Sequence, residues 1–136
     1  FEFLDDFVAI PSKDVRDVDV FLFGCKAGRY HCVILPNGDV IPCIYFTSDE
    51  WTAGNIQEQS FKDIWDNSPV LRKFREVTGV LLRGKCSRCR VRDLCKGGCK
   101  ACSYYLSGDF YLPDPRCPYS PEKNWGHSPR QNIRDR

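Results

Sequence analysis

The 136-residue chain has no methionine, only two histidines, and no apolar stretch approaching the roughly 18 to 20 residues that a membrane-spanning helix needs. Without a methionine the sequence does not open at a start codon, so further sequence is expected upstream of Phe1. The N-terminus also lacks the basic-then-apolar layout of a secretory signal, and a soluble, cytoplasmic protein is expected. An excess of one charge sign is missing too. Twenty Lys and Arg against 18 Asp and Glu leave a formal charge of +2, so a global electrostatic case for nucleic acid or an anionic membrane fails. Neither His31 nor His127 has sequence neighbours that suggest acid–base work. His31, beside Cys32, reads as a supporting or exposed residue rather than a ligand.

What is abundant is cysteine, with nine in the chain. That density implies either covalent cross-linking or metal ligation. The odd number would leave one thiol over in a disulfide scheme, and the short repeated gaps suit convergence on a metal better than cross-linking of distant loops. The length fits one domain, and a 42% hydrophobic content allows a modest core.

Along the chain, Val18 to Phe23 reads as a strand after an irregular or helical lead-in. From Val33 to Ile41 the pair Asn37-Gly38 predicts a two-residue hairpin loop, because both residues accept positive φ. The hairpin is expected to make Cys32 and Cys43 near neighbours. Trp51 to Ile56 reads as a turn-rich link. Ser60 is a candidate N-cap for a short helix carrying Phe61, Ile64 and Trp65. Ser68-Pro69 opens a second helix with Val70, Leu71, Phe74 and Val77 at helical spacing, running down to Gly79. These apolar stripes read as core. From Pro113 the chain carries five of its nine prolines and ends in a polar stretch from Ser128.

The densest segment is Cys86-Ser-Arg-Cys89-Arg-Val-Arg-Asp-Leu-Cys95-Lys-Gly-Gly-Cys99-Lys-Ala-Cys102. A two-residue gap such as Cys86 to Cys89 wraps one metal centre and recurs in zinc and iron-sulfur sites. With Cys25, Cys32, Cys43 and Cys117, eight thiolates make two four-cysteine sites and leave one over. Gly97 and Gly98 allow backbone amides to point at sulfur, where they stabilise anionic thiolates. Arg83, Lys85, Arg88, Arg90, Arg92, Lys96 and Lys100 form a basic collar that offsets the cost of gathering thiolates and lowers their pKa values. Its outward members also suit an ordinary solvated surface. A competing reading is a zinc module of two four-cysteine sites with a basic face for nucleic acid.

The order Cys25, Gly38, Cys43, a long gap, then Cys86-x2-Cys89-x5-Cys95-x3-Cys99, and finally Cys117 resembles the seven-cysteine signature of SPASM domains. These are the C-terminal auxiliary-cluster domains of radical S-adenosylmethionine enzymes such as the subtilosin, pyrroloquinoline quinone, mycofactocin and anaerobic sulfatase maturases. The resemblance extends to Leu35-Pro-Asn-Gly-Asp-Val-Ile-Pro-Cys43, Gly54-Asn55-Ile56 and Phe61-Lys-Asp-Ile-Trp65. It implies two 4Fe-4S clusters, the second held by Cys86, Cys89, Cys95 and Cys117 and the first by Cys25, Cys43 and Cys99, with Cys32, outside the seven-cysteine signature, either the fourth ligand or leaving an open iron for a substrate group. Cys102 is left as a small apolar residue or an alternative ligand.

The resemblance also implies a small, metal-stabilised α+β fold, a hairpin followed by short helices and cysteine-rich loops around two clusters. Residues 1–24 would be a lead-in from an upstream radical S-adenosylmethionine barrel, 25–117 the cluster domain, and 118–136 a tail. The Cys-x3-Cys-x2-Cys motif of the catalytic cluster is absent from these residues, and the chain is too short to hold a barrel as well. S-adenosylmethionine and a third cluster are therefore expected upstream, and this part is not expected to be catalytic alone. The implied role is electron transfer and substrate engagement during modification of a peptide, protein or small-cofactor precursor. It would work with an electron donor, and with neither membrane nor nucleic acid as partner.

Overall fold

The computed structural model describes residues 24–118; the expected strand at Val18 to Phe23, His127 and the polar stretch from Ser128 lie outside the described residues. Val33–Ile34 (β1) and Asp39–Ile41 (β2) form the hairpin, with Val33 opposite Ile41 and Ile34 opposite Val40. The loop differs from the two-residue expectation. The Gly38 amide donates to the Leu35 carbonyl at 2.9 Å and the Leu35 amide to the Asp39 carbonyl at 2.8 Å, so Pro36, Asn37 and Gly38 form a three-residue loop. Only Gly38 takes positive φ, at +89°. The cause is Pro36: it has no amide hydrogen to close a shorter loop onto Asp39, so closure moves back to Leu35.

Gly54–Asn55 (β3) pairs antiparallel with β2, Asp39 opposite Asn55, where the sequence suggested only a turn-rich link. The Asn55 side-chain amide holds it there, donating to the Asn37 carbonyl at 3.1 Å and to Asp39 Oδ1 at 2.9 Å. Phe61–Asn67 (α1) begins as expected, with the Ser60 hydroxyl accepting the Asp63 amide at 3.1 Å. Pro69–Arg75 (α2) has proline in its first turn, but the Ser68 hydroxyl makes no capping bond. Ser68 works through its backbone: its amide donates to the Ile64 carbonyl and its carbonyl accepts the Arg72 amide, each at 3.0 Å, closing α1 and opening α2. The helix stops at Arg75, short of Gly79. There the Arg29 guanidinium donates to the carbonyls of Phe74, Arg75 and Val77 at 3.0 to 3.1 Å, satisfying acceptors that a helix end leaves open. Arg92–Cys95 (α3) and Lys100–Ser107 (α4) follow, with short 3-10 turns at Asp49–Trp51, Gly79–Leu81 and Gly84–Arg88.

The fold is small α+β, and most of the expected helical stripes is core: Ile64, Leu71, Phe74 and Val77 are buried and Trp65 and Val70 partly so, whereas Phe61, in the first turn of α1, is exposed. The core has two parts. Val40, Ile64 and Leu71 join the sheet to α1 and α2. A larger, aromatic part centres on Phe46, Trp51, Phe74 and Phe110. Its rings meet edge to face, Phe46 to Phe74 with centroids 5.2 Å apart and Phe74 to Phe110 at 5.0 Å, the arrangement favoured by the ring quadrupole. No helix among the described residues is long and apolar enough to cross a membrane.

Candidate metal centre

Cys86 sits in the 3-10 turn Gly84–Arg88, and the Cys89 amide donates to the Cys86 carbonyl at 3.1 Å, so the two-residue gap closes as a tight turn. Cys95 is the last residue of α3. Lys96, at φ +54°, ends that helix in a left-handed conformation, and Gly97 and Gly98 continue it at φ +85° and +73°. Few residues other than glycine sustain such a run, and its product is the expected contact: both glycine amides donate to the Cys95 sulfur. Cys117 is placed by its amide, which donates to the Asp114 carbonyl at 3.0 Å, and by the Lys85 ammonium on its own carbonyl.

Two of these thiols, Cys86 and Cys95, are shifted by burial and by the cysteines around them. Burial, then charge at Cys117, Cys95 and Cys89, pushes the Cys86 thiol up to about 11. Burial also raises Cys95, with the two glycine amides opposing it and Cys117 and Cys89 adding to it. Gathering four thiols in a part-buried site is costly as long as they must ionise alone, and a bound cation or cluster removes that cost. The donor set therefore fits a thiolate-ligated metal.

The other cysteines divide. Cys25, Cys43 and Cys99 pack at the border of the aromatic core. Cys99 is the residue before α4, and its amide donates to Asp114 Oδ2 at 3.1 Å. The Cys43 sulfur accepts the Tyr45 amide at 3.4 Å. Just before Cys25, the backbone at Gly24 runs so close to Cys95 that a Cβ there would lie 2.7 Å from the Cys95 carbonyl oxygen. Cys32 packs instead against Val40, Ile64 and Leu71. The hairpin register explains the difference, since it puts Cys32 in step with Pro42 and one residue out of step with Cys43, and successive strand residues alternate faces. Burial raises the Cys32 thiol, with the Arg75 charge opposing. His31 is exposed.

Cys102 lies beside Cys99: their sulfurs and an Asp114 carboxylate oxygen are within 4.8 Å of one another. Burial, then the charges of Cys99 and Asp114, pushes Cys102 up to about 11, which keeps it a protonated thiol at neutral pH that donates to the Cys99 sulfur. Cys102→Ala is accordingly expected to leave the iron content unchanged; a loss of about four irons per chain on metal analysis would make it a ligand instead.

Two residues that sequence reasoning did not single out shape the site. Asp114 is fully buried, and besides the Cys99 amide it accepts from the Arg116 amide at 2.9 Å and from the Arg116 guanidinium at 2.8 and 3.1 Å. Lys100, grouped above with the basic collar, is 1% exposed and lies inside the protein. Other collar members face outward: Arg83, Arg88 and Arg90 are exposed, and Arg83 pairs with Asp109 at 2.6 Å.

Residues 25–90 match SPASM, an iron-sulfur cluster-binding domain. The chain is 40% identical over 100 residues to the AdoMet-dependent heme synthase of Methanosarcina barkeri, covering 74% of this chain and 27% of that protein. It is 37% identical over 94 residues to the mycofactocin maturase MftC of Mycobacterium tuberculosis, covering 68% of this chain and 23% of that protein. Among solved structures, Streptococcus suis SuiB bound to S-adenosylmethionine aligns with a TM-score of 0.61 at 28% identity, over 82% of this chain and 26% of that one. The chain thus spans about a quarter of the curated relatives it matches. It belongs to the SPASM family, the iron-sulfur domains of radical S-adenosylmethionine enzymes.

Proposed function

We propose that this chain is the C-terminal auxiliary domain of a radical S-adenosylmethionine enzyme and holds two 4Fe-4S clusters, with the domain running from Cys25 to Cys117. Cys86, Cys89, Cys95 and Cys117 would hold one cluster. Cys25, Cys43 and Cys99 would hold the other, with Cys32 as fourth ligand if it turns away from Val40, Ile64 and Leu71, and an open iron otherwise. The observation that supports this reading is the match of residues 25–90 to an iron-sulfur cluster-binding domain, together with a fold in which Cys89, Cys95 and Cys117 act on Cys86 and two glycine amides face the Cys95 sulfur. When bound, the clusters supply one-electron redox chemistry.

The protein's own contribution is placement. The Gly97 and Gly98 amides stabilise negative charge on the Cys95 sulfur, and the aromatic core shields one side of Cys25, Cys43 and Cys99 from water. Cys99 follows the Cys95 turn in sequence yet borders the aromatic core, so the segment Cys95 to Cys99 ties the two sites together. The role is to pass electrons to or from a substrate and to present that substrate to a catalytic barrel upstream, in the cytoplasm, with an electron donor as a further partner. The names of the relatives support a substrate that is a tetrapyrrole-type cofactor precursor or a peptide undergoing maturation.

Protein purified without oxygen is expected to be brown, with broad visible absorption and about eight irons per chain beyond those of any catalytic cluster. Colourless protein carrying zinc and no iron would sink the reading.

A further inference from the structure

Lys100, at 1% exposed, is the most buried basic side chain among the described residues, and the ligand assignment does not use it. Its ammonium donates to the Phe110 carbonyl at 3.2 Å and lies 5.6 Å from the centre of the Phe110 ring. On its other side, a Cβ at Gly97 would come within 2.8 Å of Nζ, so the glycine turn that serves Cys95 also leaves the space the ammonium occupies. One carbonyl satisfies one of three donors and none of the charge.

Lys100 follows Cys99 directly in the chain and its ammonium lies against Gly97 of the Cys95 turn, so it stands beside a member of each proposed set; once ionised, the sulfurs of Cys25, Cys86, Cys95 and Cys99 act on this ammonium. Two of them belong to each proposed cluster set. Burial works against the charge and lowers the ammonium's affinity for its proton, while these four sulfurs work in the opposite direction. Lysine is rarely buried without an anionic counterpart, and in a poorly screened interior its field reaches both sites.

We propose that Lys100 is a positioning residue shared by both cysteine sites, whose buried positive charge stabilises the reduced, more negative state of each cluster and so raises both reduction potentials together. This rests on the two-cluster reading above. A residue acting on one site alone would move one potential. A residue that merely fills space would move neither.

The test is an anaerobic redox titration of the full chain, followed by electron paramagnetic resonance, with iron and sulfide measured on the same samples. Lys100→Met removes charge and donor; Lys100→Gln removes the charge and keeps a donor for the Phe110 carbonyl; Lys100→Arg keeps the charge. In either neutral variant that loads iron fully, both auxiliary potentials are expected to fall, and Lys100→Arg is expected to sit nearer the wild type. Full iron with unmoved potentials, or a shift at one cluster only, would overturn the proposal. If neither neutral variant loads iron, Lys100→Arg decides: two loaded clusters uphold the role of the charge, and failure to load overturns it. Wild-type protein with about four auxiliary irons instead of about eight would remove the two-cluster reading and the shared role with it. About eight irons with unmoved potentials would remove the role of Lys100 alone.

Discussion

Cys89→Ala is expected to lose about four irons per chain and to loosen the C-terminal half of the domain while the hairpin region stays folded. Near the site this half has little regular structure of its own: α3 is a single turn, and Cys117 is held by Lys85 and Asp114 of the same segment, whereas Cys86, Ala101 and Phe110 keep the half joined to Phe46, Trp51 and Phe74 in the aromatic core. Metal binding in small domains is coupled to folding and contributes on the order of 10 kcal/mol, so removing one thiolate of four withdraws far more than one side chain's worth of stability. The sheet, α1 and α2 have their own apolar contacts through Val40, Ile64 and Leu71 and do not depend on that site. Hydrogen exchange should show protection lost chiefly at residues 84–96 and 114–118 and retained at β2 and α1. Iron analysis of the same sample should match Cys102→Ala to the wild type and show Cys89→Ala depleted. A Cys89→Ala protein with full iron would remove Cys89 from the ligand set.

What the sequence disclosed and what it withheld divide along a physical line. Local chain properties were legible. The spacing from Cys86 to Cys99, the glycine pair that aims amides at sulfur, the Ser60 cap and the proline at the start of α2 all act over a few residues, and their consequences follow from backbone geometry. The hairpin was placed correctly but its loop was not, because the positive-φ preference of Asn37-Gly38 outweighed the missing amide hydrogen of Pro36 in the reading. β3 was missed because its two residues carry no alternating pattern, and a side-chain amide, Asn55, holds them in place. The aromatic core was likewise hidden. Phe46 and Phe110 are distant in sequence and belong to no periodic stripe, yet both are nearly fully buried. Lys100 could not be found by rule, since charged residues normally face water.

Asp114 left a fainter signal, an aspartate between two prolines and two residues before Arg116, the pattern of a turn in which a carboxylate accepts a nearby amide. Its position explains why Asp114→Ala should be a damaging change at both sites. The side chain holds the amide of Cys99, from the first proposed set. The backbone carbonyl holds the amide of Cys117, from the second, and the Asp114 amide donates to Gly97 at 3.2 Å beside the Cys95 sulfur. Arg116 is half exposed and can turn to water once its partner is gone; the Cys99 amide is more enclosed and is left without an acceptor. A buried polar group stripped of its partner costs about 1 to 3 kcal/mol, so a total near 3 kcal/mol is expected for Asp114→Ala. That corresponds to a fall in melting temperature of roughly 10 °C or more for a domain of this size. Asp114→Asn keeps one carbonyl acceptor but loses the charge and turns the other accepting oxygen into an NH2 donor, so it should fall between the wild type and alanine. The discriminating measurement is iron release to a chelator without oxygen. If Asp114 ties both sites together, release from both clusters should accelerate in the alanine variant, with asparagine intermediate. A lowered melting temperature with wild-type release from both clusters would reduce Asp114 to a structural residue with no part in holding the metal.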